Sequence, residues 1–253
     1  NHIEPEQFWG YRYPLGRRYW KTTSPDQIGI QEGAFFAINH KLKHTHDELA
    51  QVAKHIETLA NEANLTLRIQ HLAEALSATN LSTDDLLDYF SDAQFLFGIV
   101  HFACHCEHPS GTSATESYLS LTAREATVEL HLEELIALAG EGFRQHPFVF
   151  LNACESSTAG YSMQTSNFPT DLLNFGAGSV IATACVIPDR FASAFATEFY
   201  RRLLDKERHM QNLVTLSEVL WETRLHFLRE YNNPLGLAYG LYADSAQAFL
   251  IEG

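Results

Sequence analysis

Three mainly apolar segments constrain the fold of this chain of 253 residues more than any other feature of its sequence. They lie at residues 95–103, 147–153 and 179–187, and segments with helical periodicity stand between them. Strands without polar alternation are typical of parallel sheets, because helices cover both faces of such sheets. The pattern therefore predicts an α/β fold with a mostly parallel central sheet and helices on both faces.

The remaining periodicity predicts further strands and helices around this sheet. Residues 1–33 are rich in aromatics, proline and arginine without a clear period, and we expect them to form an irregular arm. No internal repeat or low-complexity linker interrupts residues 34–253, which are predicted to form a single domain. The pattern predicts strands at 33–39 and 65–69, a hairpin at 118–130, and helices at 45–62, 70–78, 83–91, 189–206 and 211–231.

The charge of the chain disfavours several classes of partner. Its 31 acidic and 17 basic residues give a formal net charge of -14 and a pI near 5.3, so neither nucleic acid nor an anionic membrane is an expected ligand. An acidic surface suits a basic peptide instead. No glycine-rich phosphate loop follows a strand, which disfavours a nucleotide-binding domain.

The cysteines and the start of the chain bear on its location. Four cysteines without a paired framework, together with the lack of a signal segment or a membrane span, predict a cytoplasmic protein with reduced thiols. The first residue is not methionine, so we expect a piece of a longer polypeptide with a sensor or repeat domain upstream.

Two of the apolar segments end close to reactive side chains. His105 follows the segment 95–103, and Cys154 follows the segment 147–153, 49 positions after His105. Ligand sites in open parallel sheets lie at the carboxyl ends of the strands, so the two residues are expected to meet at one edge. A thiol becomes a nucleophile at neutral pH when a neighbouring imidazole takes its proton. The pair predicts a Cys–His catalytic site, although a cysteine at such a place is also often a small buried core residue.

The histidines and cysteines around His105 suggest a metal-binding cluster, but the alternation of a strand argues against one. His101 and His105 would project from one face, whereas Cys104 and Cys106 would project from the other. One ion cannot collect ligands from both faces, and Cys-x-Cys is not a usual zinc spacing. We therefore expect no metal and no cofactor at this strand. His101 is expected to be a hydrogen-bonded core histidine, and Cys185 a core cysteine.

A set of motifs at these strand ends resembles the CHAT domain, the bacterial branch of the caspase, metacaspase and separase group of cysteine peptidases. The separation of His105 and Cys154 is also close to the roughly 50 residues found in caspases. The resemblance implies a three-layer caspase-like sandwich with a catalytic core at about residues 95–206. The motifs are HFACH (101–105), LNACES (151–156), FGAGSVIAT (175–183) and FYRRLL (199–204), with PLGLAYGLY (234–242) near the end.

The resemblance also implies a role for several residues at this edge. Cys154 would attack a peptide carbonyl, and His105 would act as general base and later as the acid for the leaving amine. The backbone N–H groups of Cys106 and Cys154 would stabilise the oxyanion. Asp189 matches the position at which the separase branch keeps an acidic group for the basic side chain before the scissile bond. A carboxylate there would select arginine or lysine.

Neighbouring residues leave alternatives open. Asn152 and Glu155 flank the nucleophile and are expected to line the same substrate pocket. Asp189 fits equally well as the N-cap of the helix that follows it, and the two roles are compatible. The family usually has glycine directly after the catalytic histidine, where this chain has Cys106. If the position needs an unusual backbone angle, the cysteine would distort the oxyanion hole, whereas nothing is lost if only the N–H matters.

These inferences combine into one functional expectation and one alternative. We expect an intracellular cysteine endopeptidase that cleaves one or few protein targets after a basic residue. An activating partner or a fused or separate sensor module would order its loops in a bacterial defence or signalling pathway. The alternative is a catalytically silent CHAT-like module that only binds a protein, which Cys106 in place of glycine favours.

Overall fold

Six strands form the main path of the central sheet in a computed structural model of the chain, which describes residues 4, 7–18, 25–76, 82–107, 116–123, 126–154 and 168–251. The first five strands along this path are parallel, and the sixth runs antiparallel to its neighbour. The predicted α/β fold with a mostly parallel central sheet is therefore confirmed. In spatial order the strands are β3 (Arg68–His71), β2 (Gly33–Ile38), β4 (Ile99–Glu107), β7 (Phe148–Cys154), β8 (Ser179–Thr183) and β9 (Tyr239–Tyr242).

Two smaller pairs of strands accompany this path, and one of them extends the central sheet. The predicted hairpin is present as β5 (Tyr118–Ala123) and β6 (Ala126–His131), and β5 pairs antiparallel with the carboxyl end of β4. A separate two-stranded sheet joins β1 (Gln27–Gly29) in parallel to β10 (Ala248–Leu250). The segment 1–33, expected to be an irregular arm, thus contributes β1 and also a short helix, α1 (Trp9–Arg12).

Helices cover both faces of the sheet and create two apolar layers. The first layer packs the sheet against α2 (Thr45–Ala63), α7 (Asp189–Leu203) and α9 (Leu216–Tyr231). The second packs the opposite face against four shorter helices. These are α3 (Leu72–Ala75), α4 (Thr83–Ser91), α5 (Leu132–Ala137) and α6 (Phe168–Asn174). The helix α8 (Lys206–Gln211) lies outside both layers and buries no residue.

Successive side chains along each strand enter these two layers in turn. In β2, Phe36 enters the first layer and Phe35 the second; in β7, Phe150 enters the first and Val149 the second. All four side chains are fully buried, and burying one such side chain contributes about 2–3 kcal/mol to the hydrophobic driving force. A strand that is covered on both faces favours apolar residues at nearly every position, which explains the mainly apolar segments of the sequence.

Some predicted boundaries differ from the structure. The strand predicted at 65–69 lies at Arg68–His71, and the helix predicted at 70–78 has its described helical residues at Leu72–Ala75. The helix predicted at 211–231 begins only at Leu216, because the Thr215 side chain accepts a bond from the Glu218 backbone N–H and so caps the helix.

Part of the amino-terminal arm docks on α9, because side chains of α9 donate hydrogen bonds to backbone carbonyl groups of the arm. The Trp221 Nε1–H donates to the Tyr11 carbonyl at 2.7 Å, and Arg224 Nη1 donates to the Gly10 carbonyl at 3.2 Å. Arg224 Nη2 also donates to the Tyr239 carbonyl, at the start of β9. The Arg224 side chain is buried, and this burial lowers its pKa to about 10. One buried guanidinium therefore ties the arm to the edge of the central sheet.

Gly98 lies immediately before β4, where the chain passes close to the segment that follows β1. A methyl group there would stand 2.5 Å from the Ile30 carbonyl carbon and would also overlap the Gly29 carbonyl oxygen. We expect Gly98→Ala to lower the free energy of unfolding by about 1–3 kcal/mol, because backbone atoms must move to admit the methyl group. Chemical denaturation followed by circular dichroism measures this change.

Gly240→Ala is the matched control, because it adds the same methyl group within β9. Its nearest neighbour would be Tyr242 Cε2 at 3.6 Å, which is an ordinary van der Waals contact. The free energy of unfolding should change by no more than about 0.5 kcal/mol. Equal losses in the two variants would contradict the steric explanation.

Candidate active site

The ends of β4 and β7 bring His105 and Cys154 to the same level of the sheet. Their backbones are register partners in the parallel ladder between the two strands. Neighbouring strands lie about 4.8 Å apart, so the two residues are separated by one strand spacing. His105 is half-buried, and on its other side it pairs with Ser120 of β5. The structure thus places the backbones of the two predicted catalytic residues at adjacent positions on neighbouring strands.

The backbone of Cys106 is directed toward the same side of β4 as Cys154. The Gly98 carbonyl accepts from the Phe148 N–H at 2.8 Å and faces β7, whereas the Ala103 carbonyl accepts from the Asn39 N–H and faces β2. Backbone groups along a strand alternate between its two neighbours. Because position 106 has the parity of position 98, its N–H faces the β7 side.

The side chain of Cys106 fits the strand without backbone strain. The thiol is buried in the second apolar layer, together with that of Cys104. Cys106 has no positive φ angle, so its backbone conformation does not need glycine. The predicted division of the strand is confirmed: Cys104 and Cys106 enter one layer, whereas Ala103 and the partners of His101 belong to the other.

His101 is a hydrogen-bonded core histidine, as predicted. Its ring is fully buried, and Nε2 lies 2.8 Å from Glu48 Oε1 of α2. Its Nδ1 lies 3.2 Å from the Tyr200 hydroxyl of α7. Burial raises the pKa of Tyr200 well above its ordinary value and the Glu48 charge raises it further, so this hydroxyl keeps its proton. With Nε2–H as the donor to the Glu48 carboxylate, Nδ1 and the Tyr200 hydroxyl form the second hydrogen bond of the ring.

Asn152 joins the same buried network from β7. Its Nδ2 donates to Glu48 Oε1 at 2.7 Å, and its Oδ1 accepts from the Tyr239 hydroxyl at 2.8 Å. The side chain is only 3% exposed, so both of these bonds lie within the core. Hydrogen bonds from β4 and β7 consequently converge on a single oxygen of Glu48. We call these five residues the Glu48 network: Glu48, His101, Asn152, Tyr200 and Tyr239.

The other predicted site residues lie at or beyond the end of β8, or outside the described residues. Asp189 is half-buried and is the first residue of α7; the N-cap is Pro188, so the predicted capping role of Asp189 is wrong. Cys185 is exposed rather than a core cysteine, because β8 already ends at Thr183. Glu155 and the loop 155–167 lie outside the described residues.

The β5–β6 hairpin closes the site on the β2 side. Asn39, which follows β2, donates through Nδ2 to the Ser120 carbonyl at 3.0 Å, and Ser120 is the register partner of His105. The Thr122 hydroxyl donates to the Ile38 carbonyl at 3.1 Å and accepts from the His40 N–H at 2.8 Å. These bonds fix the hairpin against the end of β2 and so determine the surroundings of His105.

The described residues lack both a cluster of metal ligands and a membrane-spanning helix. Over the ranges the structure covers, no three His, Cys, Asp or Glu side chains lie close enough together to hold a metal ion. Within the same ranges, no helix combines the length and the hydropathy that crossing a membrane requires.

Sequence reasoning missed three residues of the Glu48 network, namely Glu48, Tyr200 and Tyr239. One of them left a signal in the sequence. Glu48 occupies the apolar stripe of α2, whose buried positions include Thr45, Val52, Ile56 and Leu59 at helical spacing. A charged residue in such a stripe indicates a buried partner, but the sequence did not reveal which residue that partner is.

The comparisons with known proteins agree with this architecture. The crystal structure of the Arg specific cysteine proteinase gingipain R (RgpB) has a TM-score of 0.53 and 13% identity, covering 88% of this chain and 47% of that chain. The complex of Porphyromonas gingivalis RgpB pro- and mature domains has a TM-score of 0.53 and 12% identity, with coverages of 90% and 50%. The Saccharomyces cerevisiae separase–securin complex has a TM-score of 0.50 and 13% identity, with coverages of 90% and 13%.

At sequence identities of 12–13%, the similarity to these structures shows a shared fold and not a shared activity. The chain spans about half the length of the gingipain chains and 13% of the separase chain. The predicted three-layer caspase-like sandwich is confirmed, and it is a cysteine-peptidase-like fold. A search of curated proteins finds no match. The CHAT domain model matches residues 22–243, which is most of the sequence. The chain therefore belongs to the CHAT domain family.

Proposed function

We propose that this protein is a cysteine endopeptidase in which Cys154 is the nucleophile and His105 the general base. The register pairing of the two residues at the ends of β4 and β7 carries the proposal. A nucleophile and its base must come within hydrogen-bonding reach, and adjacent positions on neighbouring strands meet that requirement. The family and the cysteine-peptidase-like fold support the same chemistry.

The proposed reaction proceeds through an acyl-enzyme. His105 takes the thiol proton, and the Cys154 sulfur bonds to the peptide carbonyl carbon while the carbonyl π electrons move to oxygen. The N–H of Cys106, which faces the β7 side, and that of Cys154 stabilise this oxyanion. Its collapse breaks the C–N bond, and the imidazolium gives its proton to the leaving amine. Water, activated by His105, then hydrolyses the thioester.

The proposed specificity is for a basic side chain before the scissile bond. Asp189 supplies a carboxylate beyond the end of β8, the strand next to β7, and the chain carries a net charge of -14. A carboxylate selects arginine or lysine through charge-assisted hydrogen bonds. Gingipain R, one of the similar structures, is Arg specific. Asn152 and Glu155 stay predictions as substrate contacts; the two Asn152 bonds described above go to the core.

The proposed biological setting is limited cleavage under the control of a protein partner. We propose a cytoplasmic enzyme that acts on one or few protein targets, with activation by a fused or separate sensor module in bacterial defence or signalling. The separase structure similar to this chain is a complex with securin, which supports a protein partner.

The second candidate function is a catalytically silent CHAT-like module that binds a protein. Cys106 in place of the usual glycine favours it. The buried side chain and the ordinary backbone of Cys106 weaken this alternative, because the cysteine does not distort the strand.

Removal of either member of the pair tests the proposed chemistry. We expect Cys154→Ala and His105→Ala to lower kcat/KM on arginine- and lysine-containing peptides by at least about a thousandfold, since each removes a group that takes part in bond making. Cys185→Ala, which removes an exposed thiol, is the control and should stay within about twofold of wild type. Equal cleavage by wild type and both pair variants would refute the dyad.

The specificity proposal is tested by neutralising Asp189. Asp189→Asn should lower kcat/KM for arginine and lysine peptides by roughly 10- to 100-fold, because a charge-assisted bond is lost, and should leave neutral peptides unchanged. Glu57→Gln removes the same charge from an exposed site on α2 and controls for the net charge of the protein. If both variants lower the rates alike, Asp189 has no special role in the pocket.

Thiol labelling separates the peptidase from the silent module. If the site is active, a peptide-directed electrophile should label Cys154 at least about tenfold faster than the exposed Cys185, because His105 would take the proton of the Cys154 thiol. Mass spectrometry of the digested protein assigns the labelled residue. Equal labelling rates would support the silent module.

A further inference from the structure

Two residues of the Glu48 network lie in the strands that carry the proposed catalytic pair, a few positions closer to the amino-terminal end of each strand. His101 stands four residues before His105 in β4, and Asn152 stands two residues before Cys154 in β7. Ala103, not His101, is the register partner of Asn152, so the two network residues are diagonal neighbours across the strand pair. One oxygen of Glu48 contacts both, at 2.8 Å and 2.7 Å. The carboxylate therefore bridges the two strands that carry the pair.

The burial of this network is not explained by stability alone. Glu48 is 3% exposed and His101 is fully buried, in a layer otherwise built from residues such as Phe150 and Phe199. Taking a carboxylate out of water costs several kcal/mol, and well-packed apolar residues of similar volume are often at least as stable. An apolar core would, however, add no directional side-chain bond between β4 and β7 to the hydrogen bonds of the backbone ladder.

We infer that Glu48 is a positioning residue, which holds the ends of β4 and β7 in the spacing and orientation that the His105–Cys154 pair needs. The inference rests on the proposed function. The hydrogen bonds of Glu48 are directional, and those of His101 and Asn152 share one oxygen. A shift of β4 or β7 along its axis would therefore break one of these bonds. A misplacement of about 1 Å at reacting atoms can cost roughly a hundredfold in rate.

Two tyrosines and the helix that carries Glu48 make this bridge rigid. The Tyr200 hydroxyl of α7 forms a hydrogen bond with His101 on one side, and Tyr239 at the start of β9 donates to Asn152 on the other. Glu48 itself sits in the first turn of α2, so a helix rather than a loop fixes its backbone. Positioning groups act best when their own rotamers are locked by surrounding contacts.

Two substitutions of Glu48 separate hydrogen bonding from simple packing. Glu48→Gln keeps a carbonyl oxygen that accepts both bonds, whereas Glu48→Leu fills the space without accepting either. We expect Glu48→Leu to lower kcat on a peptide substrate by roughly 10- to 100-fold with KM within about threefold, and Glu48→Gln to restore kcat to within about fivefold of wild type. Labelling of Cys154 by the peptide electrophile should follow the same order.

Phe199→Leu is the control for loss of stability. Phe199 lies in the same apolar layer and next to Tyr200, and its ring centroid is 5.3 Å from that of Phe150, but it belongs to no hydrogen bond of the network. The variant should lower the Tm by several degrees and leave kcat within about twofold. If Glu48→Leu does not fold, Asn152→Ala removes the bridge from the β7 side and should lower kcat by a similar factor.

The outcomes distinguish this inference from the proposed function. If the wild type cleaves and labels but Glu48→Leu, or Asn152→Ala in its place, keeps its kcat, the inference is wrong and the peptidase stands. The same holds if Phe199→Leu loses as much kcat as Glu48→Leu at an equal drop in Tm, or if Glu48→Gln is as slow as Glu48→Leu. If the wild type neither cleaves nor labels, the proposed function fails, and the inference falls with it.

Discussion

The parallel pairing of β4 with β7 is the interaction on which the rest of the structure depends. It runs without interruption from Ile99 opposite Phe148 to His105 opposite Cys154. Both strands are buried on both faces, so a slip of one residue would move every side chain into the wrong layer. The apolar core thereby enforces the register, and the register places the candidate catalytic residues. The register of β4 with β7 is therefore required both for the packing of the core and for the proposed function.

Within this core, four hydrogen bonds join the five residues of the Glu48 network. The Tyr200 hydroxyl pairs with His101, the Tyr239 hydroxyl donates to Asn152, and His101 and Asn152 both contact the same oxygen of Glu48. A half-satisfied network in a low-dielectric interior would be costly, so its members depend on one another. Five elements, α2, β4, β7, α7 and β9, each contribute one member of this network close to the candidate active site.

Much of the fold was predictable, because the sheet is covered on both faces and its strands are apolar at nearly every position. The site was predictable where strand ends coincide with reactive residues, as at His105 and Cys154. Other features depend on contacts between distant segments. Glu48 meets residues 53 and 104 positions away, and no local pattern identifies them. Cys185 belongs to an apolar segment but lies beyond the point at which β8 loses its partners.

The pairing of β1 with β10 has a consequence for the order in which the chain folds during synthesis. Residues 27–29 leave the ribosome early, but their partners at 248–250 are made only after every strand of the central sheet. Closing so long a loop is entropically costly and comes late. The site-bearing strands can therefore pair before β1 finds its place, and β1 remains an open edge until residues 248–250 emerge. Among the described strand pairs, β1 with β10 is thus the last that synthesis makes available.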